Sequence, residues 1–344
     1  PPGSSLSDER LANGSREPFR VQYWGIGNES WACGGHMTPE EYASLYSRYV
    51  TYVHSYGGTE PFYIACGPHN NDIEWTRRFF QSLNRTHRVR VDGFAMHFYS
   101  WGKSTPTGYT VDTMREQLSS FVEMEKGIVE QRALLDAVQE DPTAGHVRLF
   151  VDEWGTWDRS DDETEKRYGR YWQTGTMRDA LAAGLGLNVF HRQADKLAMC
   201  NIAQVANVLQ SMLLTYKDKC IRTPSYHAFM MCKGHRSKTA VPVETAQSEV
   251  PTLSFSASRD EGSLVVTGVN ISHDTPAVID CSLEGKRAKL GSGELLHHSD
   301  FNAGNTFDAP DTIVPETLSV TVNAHGFTVE LPPLSVATVT IGLA

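Results

Sequence analysis

The sequence predicts an α/β fold of the (β/α)8 TIM-barrel type, joined to a C-terminal all-β jelly-roll or sandwich domain. Three observations predict it. Apolar, β-rich runs alternate with helical patterns up to about residue 230. Two of those runs stop at a carboxylate, at Glu29 and at Glu153, and the C-terminal strand end is where a barrel keeps its chemistry. From about Val250 the chain changes to short β-rich runs separated by Gly, Asn, Asp and Pro, with no amphipathic helix.

The elements follow in order. Residues 1–20 are polar and rich in Gly, Ser and Pro, and read as loop. Strands are expected at Val21–Gly27, Phe62–Gly67, Val91–Tyr99, Val147–Trp154 and Gly184–His191. Thr38-Pro39-Glu40-Glu41 supplies an N-cap, a proline at the first helical position and a capping-box Glu. Tyr42, Leu45, Tyr46, Tyr49, Val50 and Val53 then share one helical face, and Gly57 and Gly58 stop the helix. Further helices are expected at Asn71–Leu83, Val111–Gln139, Glu163–Ala183 and Ile202–Tyr216. Alternation of this kind means a parallel sheet wrapped by helices. It yields five βα units, where a closed barrel needs eight. The pattern changes near Lys233, so the expected domains are 1–232, a partial barrel, and 233–344, a β-sandwich. Its strands are read at Leu253–Ala257, Ser263–Val269, Ala277–Leu283, Leu318–Val322 and Leu334–Ile341.

Composition narrows the function classes. The chain has 344 residues, 40% of them hydrophobic, enough for a large core and more than one domain. A net charge of −10 argues against a nucleic-acid or membrane-surface partner. No apolar run is long enough to span a bilayer. The six cysteines are scattered without a Cys-x-x-Cys pair and read as buried free thiols. No metal-ligand spacing, phosphate loop, complete Gly-x-Gly-x-x-Gly or Gly-x-Ser-x-Gly elbow is present.

The carboxylates carry the chemistry. Glu29 follows Asn28 and is flanked by Trp24 and Trp31. An amide beside the acid can bond a sugar hydroxyl, and aromatic walls that reduce hydration raise a carboxyl pKa, which suits a general acid. Glu153 sits between Asp152 and Trp154, with Trp157 following. Neighbouring strand residues face opposite ways, so Glu153 is assigned to the site and Asp152 to a structural hydrogen bond, with a catalytic Asp152 as the alternative. In Ala95-Met96-His97-Phe98-Tyr99, alternation puts His97 and Tyr99 on one face. Tyr99 could donate a hydrogen bond to Glu153 and keep it ionised. Trp24, Trp31, Trp101, Trp154 and Trp157 all lie in or just after these strands, a clustering that suits a sugar pocket. Two carboxylates on separate strand ends suggest a glycosidase.

Trp24-Gly25-Ile26-Gly27-Asn28-Glu29 and Val151-Asp152-Glu153-Trp154 together resemble the α-L-arabinofuranosidases of glycoside hydrolase family 51. The resemblance extends through His97-Phe98-Tyr99, the run from Asn201 to Gln210, and Asn302-Ala303-Gly304-Asn305-Thr306-Phe307, covering nearly the whole chain from about residue 18. It implies retaining hydrolysis of terminal α-L-arabinofuranosyl groups from arabinan, arabinoxylan or arabino-oligosaccharides. By that match Glu29 is the acid/base, Glu153 the nucleophile, Asn28 a hydroxyl partner, Tyr99 a nucleophile partner and Gln204 a sugar contact. His97, Trp101 and Trp157 join the expected substrate-binding set. The resemblance also implies no cofactor, a homo-oligomer in the full-length form and a cytoplasmic location. Such a mechanism needs the two carboxyls roughly 5–5.5 Å apart.

In the family the acid/base strand is the fourth of the barrel, whereas here it is the first. The resemblance therefore implies a chain matching the C-terminal two thirds of a longer enzyme, with open sheet edges and weak stability or activity by itself. Two other readings remain open: a retaining β-1,4-glucanase or xylanase on the same scaffold, and a non-catalytic carbohydrate-binding fragment.

Overall fold

The computed structural model describes residues 3–55, 58–86, 89–138, 146–245 and 252–344. The first part of the chain runs α1 (Ser5–Ala12), β1 (Tyr23–Ile26), α2 (Pro39–Tyr52), β2 (Phe62–Cys66), α3 (Ile73–Thr86), β3 (Gly93–Trp101), α4 (Val111–Ser119) and α5 (Phe121–Val138). It continues as β4 (Arg148–Trp157), α6 (Asp162–Tyr168), α7 (Met177–Arg192) and β5 (Leu197–Ile202). The five strands form one sheet in the order β1-β2-β3-β4-β5, and the pairs β1–β2 and β2–β3 are parallel. This is the barrel-type α/β sheet that the alternation predicts.

Contacts divide the chain into two units. The first holds Pro1–His97, Gly127–Asp152 and Lys196–Met199. The second holds Phe98–Lys126, Glu153–Asp195 and Cys200–Ala344.

In the first unit, α2 begins as expected. Thr38 Oγ1 accepts from Glu41 N at 3.3 Å, and Thr38 N donates back to Glu41 Oε2 at 2.8 Å. Its buried face is Tyr42, Ala43 and Tyr46 rather than the longer stripe expected, and Tyr49 is 58% exposed. Gly57 lies outside the described residues. Tyr42 ties the sheet together, because its hydroxyl donates to Ile26 O at 2.5 Å and accepts from Cys66 N at 2.7 Å. Burial pushes that phenol well above its usual pKa, so it stays a neutral donor. Its ring stacks on Phe79 of α3 at 5.3 Å. The start of the chain departs from the loop reading. Ser4 and Ser7 form a reciprocal cap that closes α1.

The second unit holds the main corrections. The run expected as a strand at Gly184–His191 lies inside α7. This helix buries thirteen of its residues, so its pattern is apolar all round and periodicity cannot distinguish it from a buried strand. Its glycines serve close packing. A Cβ on Gly186 would sit 2.4 Å from the Trp154 ring, and one on Gly184 would sit 2.8 Å from Val269. The helix expected at Ile202–Tyr216 is instead the end of β5, an irregular stretch and β6 (Leu213–Tyr216), which pairs antiparallel with β7 (Lys219–Arg222). The single helix expected over Val111–Gln139 is two, broken at Ser120, and Gln139 lies outside the described residues.

After α8 (Pro224–Met231) come β8 (Thr239–Val241), β9 (Leu253–Arg259), β10 (Ser263–Asn270), β11 (Ala277–Ser282) and β12 (Ala288–His297). They are followed by β13 (Glu316–Leu318), β14 (Thr321–Asn323), β15 (Gly326–Leu331) and β16 (Ser335–Leu343). A six-stranded sheet, β13-β12-β16-β10-β9-β8, and a three-stranded sheet, β11-β15-β14, enclose a core that includes Leu264, Leu295, Phe327, Val329, Val339 and Ile341. This is the expected sandwich. The run read as one strand at Leu318–Val322 is two strands, and β8, β12 and β15 lie outside the expected strands.

Candidate active site

In the first unit, Glu29 lies just beyond the C-terminal end of β1, in a turn where Ala32 N and Gly34 N donate to its carbonyl. Its φ of +42° is left-handed, an uncommon state for a residue with a side chain. Gly34 makes the turn possible, since a Cβ there would lie 1.8 Å from Asn28 O. The Glu29 side chain is 17% exposed. His97 Nδ1 of β3 lies 3.2 Å from Glu29 Oε1, and Cys33 Sγ donates to Oε2 at 3.3 Å. On the far side of the imidazole, Nε2 lies 3.1 Å from Asp152 Oδ1, without the alignment of a hydrogen bond. His97 is thus held between two carboxylates. Asp152, read as a structural hydrogen-bonding residue, thus lies against the His97 ring through Oδ1.

The expected aromatic walls of Glu29 are not its described contacts. Trp24 is 43% exposed and donates to Val21 O, and Trp31 stacks on His69 at 4.3 Å. Asn28 is exposed.

In the second unit, Tyr99 of β3 donates its hydroxyl to Glu153 Oε1 of β4, as the alternation suggested. Tyr99 is buried with Ala203 and Leu209, and Trp157 meets its ring edge-on at 4.9 Å. Trp157 stacks on Trp101 at 5.0 Å and meets Tyr171 at 5.2 Å. Trp101 is 53% exposed, which leaves an open aromatic face beside the Tyr99–Glu153 pair. Gln204 is exposed in the irregular stretch after β5, where Ala203 N donates to Trp154 O and the Ala203–Gln204 peptide is cis. Trp154 departs from the sugar-pocket reading. It is buried against Phe190 and Phe229, so it is core.

The C-terminal end of β4 is held by groups the sequence reading passed over. Gln210 accepts from Thr156 N at 2.9 Å and donates to Asp179 O at 2.6 Å, and Thr156 Oγ1 donates to Asp179 Oδ1 at 2.8 Å. Below them the fully buried Arg178 lies 2.6 Å from Asp158 and 4.1 Å over the Tyr109 ring. Cys33 and Tyr171 were also missed. A thiol four residues after a strand-end Glu carries no motif, and only the turn brings it back. Buried thiols were expected throughout, yet among the six only Cys66 and Cys232 are buried, while Cys33 and Cys220 are exposed. Exposure follows from position, since Cys33 lies in the turn after β1 and Cys220 on the β6–β7 hairpin.

A parallel β/α sheet followed by an antiparallel sandwich defines the class, which is the fold of barrel-type glycoside hydrolases. Family models of the α-L-arabinofuranosidase 1 domain and the α-L-arabinofuranosidase C-terminal domain match residues 1–117 and 152–335. The chain belongs to the α-L-arabinofuranosidases of glycoside hydrolase family 51. It is similar to an intracellular exo-α-L-arabinofuranosidase of Bacteroides ovatus, 34% identical over 97% of this chain and 66% of that protein. An intracellular exo-α-(1→5)-L-arabinofuranosidase of Bifidobacterium longum is 25% identical, over 97% of this chain and 66% of its own length. The crystal structure of a family 51 arabinofuranosidase from Xanthomonas axonopodis pv. citri superposes with a TM-score of 0.87 at 30% identity, covering 98% of this chain and 70% of that one. The chain thus spans about two thirds of the length of the curated relatives it matches.

Proposed function

We propose that the protein is a retaining exo-α-L-arabinofuranosidase in which Glu153 is the nucleophile and Glu29 the acid/base. The observation that carries the reading is the Tyr99–Glu153 bond, because it fixes the orientation of the strand-end carboxylate as attack by a nucleophile requires. Glu153 attacks the anomeric carbon as the glycosidic C–O bond breaks, and Glu29 gives its proton to the departing oxygen. A covalent arabinosyl ester forms. Glu29, now a carboxylate, takes a proton from water, whose oxygen displaces Glu153 with the configuration kept.

His97 and Cys33 hold the Glu29 carboxylate in place for both transfers. Trp101 and Trp157 offer ring faces to sugar, and Asn28 and Gln204 bond hydroxyls. The substrates are arabinose-containing oligo- or polysaccharides. The names of the relatives support an exo action and an intracellular, cytoplasmic location. Among the described residues no helix is long and apolar enough to cross a membrane. The domain boundary near residue 232 and a homo-oligomeric assembly belong to the same proposal.

The test is arabinose release from a chromogenic α-L-arabinofuranoside, with the parent chain and Glu153→Ala side by side. Turnover in the parent, absent in the variant, with the α-anomer formed first, is expected. Equal rates in the two chains, or release from an aryl β-xyloside in preference, would sink the reading.

A further inference from the structure

An aromatic cavity lies in the second unit, outside the Tyr99–Glu153 cluster. Its volume is about 330 Å³, large enough for a sugar ring with its hydroxyls. The β6–β7 hairpin, the end of α6 with the loop after it, and the Asn305–Asp308 loop enclose it. Its walls are aromatic. Tyr168 stacks on Trp172 at 4.4 Å, Tyr216 meets Tyr168 edge-on at 4.9 Å, and Phe307 closes the ring of contacts at 5.9–6.0 Å from all three.

Four rings gathered this way would ordinarily be core, and their polar tips would find partners. Here, among the described residues, neither the Tyr168 nor the Tyr216 hydroxyl makes a hydrogen bond, and neither does the Trp172 indole N–H. Three hydrogen-bonding groups therefore line one cavity with capacity to spare. The wall is firmly built. Asn305 is buried and donates to Arg222 O and Ile313 O at 3.0 Å each while accepting from Ile313 N at 2.8 Å. That fixes the loop carrying Phe307.

Charge decides the ligand class. Arg167, Lys217 and Lys219 line the cavity together with Asp218 and Asp308, so the signs nearly cancel. Lys219 is already 3.5 Å from Asp308, and Arg167 and Lys217 rest over tyrosine rings at 4.9–5.9 Å. No strong field selects an ion. Aromatic walls whose hydroxyl and N–H groups have no protein partner among the described residues suit a neutral ligand that is apolar on its faces and polar at its rim. A sugar ring has that form.

The cavity is also connected to the catalytic cluster along the chain. Trp172 follows Tyr171, whose ring touches Trp157 and whose carbonyl accepts from Leu209 N at 2.9 Å.

We propose that this cavity is a second saccharide-binding site, which holds a neutral sugar unit of an arabinose-containing oligosaccharide. The choice of saccharide rests on the arabinofuranosidase reading. The existence of a sugar site does not.

The test uses the whole chain carrying Glu153→Gln to remove turnover, with arabinopentaose as probe and tryptophan fluorescence and saturation-transfer NMR as readouts. Tyr216→Ala is expected to weaken binding about tenfold, the scale of one lost stacking contact. Tyr216→Phe, which keeps the ring and loses only the hydroxyl, is expected to weaken it about threefold. With Glu153 intact, Tyr216→Ala should leave hydrolysis of a single-sugar aryl arabinofuranoside unchanged, which also reports that the variant folds. Arabinopentaose affinity that ignores both substitutions overturns the site. So does displacement of the probe by inorganic phosphate, which would mark an anion site. A changed oligomeric state in Tyr216→Ala with unchanged affinity would make the face an interface between copies and overturn it equally. A parent chain that binds arabinopentaose through Tyr216 but hydrolyses nothing would sink the enzymatic reading and leave the site standing. Turnover with binding independent of Tyr216 would do the reverse.

Discussion

At the scale of single residues, the proposed mechanism rests on small groups that hold carboxylates. The Tyr99 hydroxyl donates to Glu153, and a hydrogen bond to a charged acceptor contributes about 1.5–3 kcal/mol. Tyr99→Phe should therefore lower kcat roughly ten- to a hundredfold with little change in folding, read by initial rates and thermal unfolding. A variant as fast as the parent would remove Tyr99 from the mechanism. Cys33 makes a sharper case, because it is exposed and its thiol reaches Glu29 Oε2. Iodoacetamide should abolish turnover by placing a carboxamidomethyl group against Glu29, the proposed acid/base, and Cys33→Ser should keep activity and resist the reagent. Inactivation that persists in Cys33→Ser would point to another thiol. The strand-end glutamates, His97 and Tyr99 were legible from the chain because alternation and composition mark them. Cys33 and the Asp152–His97 contact were not. Each depends on a turn or a neighbouring strand that no local pattern encodes.

At the scale of elements, helix α7 shows how packing overrides pattern. Its Gly184 and Gly186 fall in the run read as a strand, yet both lie mid-helix where ring and methyl groups press against the backbone. Gly186→Ala should cost about 1–3 kcal/mol despite the better helix propensity of Ala, because its methyl would meet Trp154. Urea unfolding would measure this, and a stabilised variant would show that Trp154 can move aside. The capped helix α2 lies at the other extreme. Thr38, Pro39 and Glu41 set its start through contacts three residues apart, so its sequence alone was enough. Helices and strands with local punctuation were placed well, whereas the irregular stretch between β5 and β6 was misread as a helix. Its backbone is held by long-range bonds such as Leu209 N to Tyr171 O and Thr223 N to Met212 O.

At the scale of the whole molecule, pH enters through buried imidazoles of the second unit. His191, at the end of α7, packs against His235 with ring centroids 4.1 Å apart and the planes tilted by 30°. His191 Nδ1 lies 3.0 Å from Ser256 Oγ, and the His235 ring nitrogens lie 2.8 Å from Ser258 and Thr267 hydroxyls. Burial lowers both from 6.5, to about 4 for His191 and about 3 for His235. The unfolded chain therefore binds protons below pH 6.5 that the folded unit refuses. The stability from neutral burial is fully present above that pH and is lost as pH falls toward 4 and then 3. By pH 5 the loss should be about 2 kcal/mol for each ring. Denaturant midpoints at pH 7.5 and 5.0 would read it, with His235→Gln flattening the dependence. A pH-independent midpoint would show that the rings are not held neutral.

The sequence by itself determined the fold class, the two strand-end glutamates, the Tyr99–Glu153 pairing and the family. Those signals are local, carried by period, capping and motif. The tertiary structure alone decided that α7 is a helix, that Trp154 is core, that Cys33 and Asp152 attend the Glu29 side, and that rings from three separate segments line one cavity. Such features come from turns and from segments that meet only in the folded chain, and their free energy resides in contacts that no local pattern encodes.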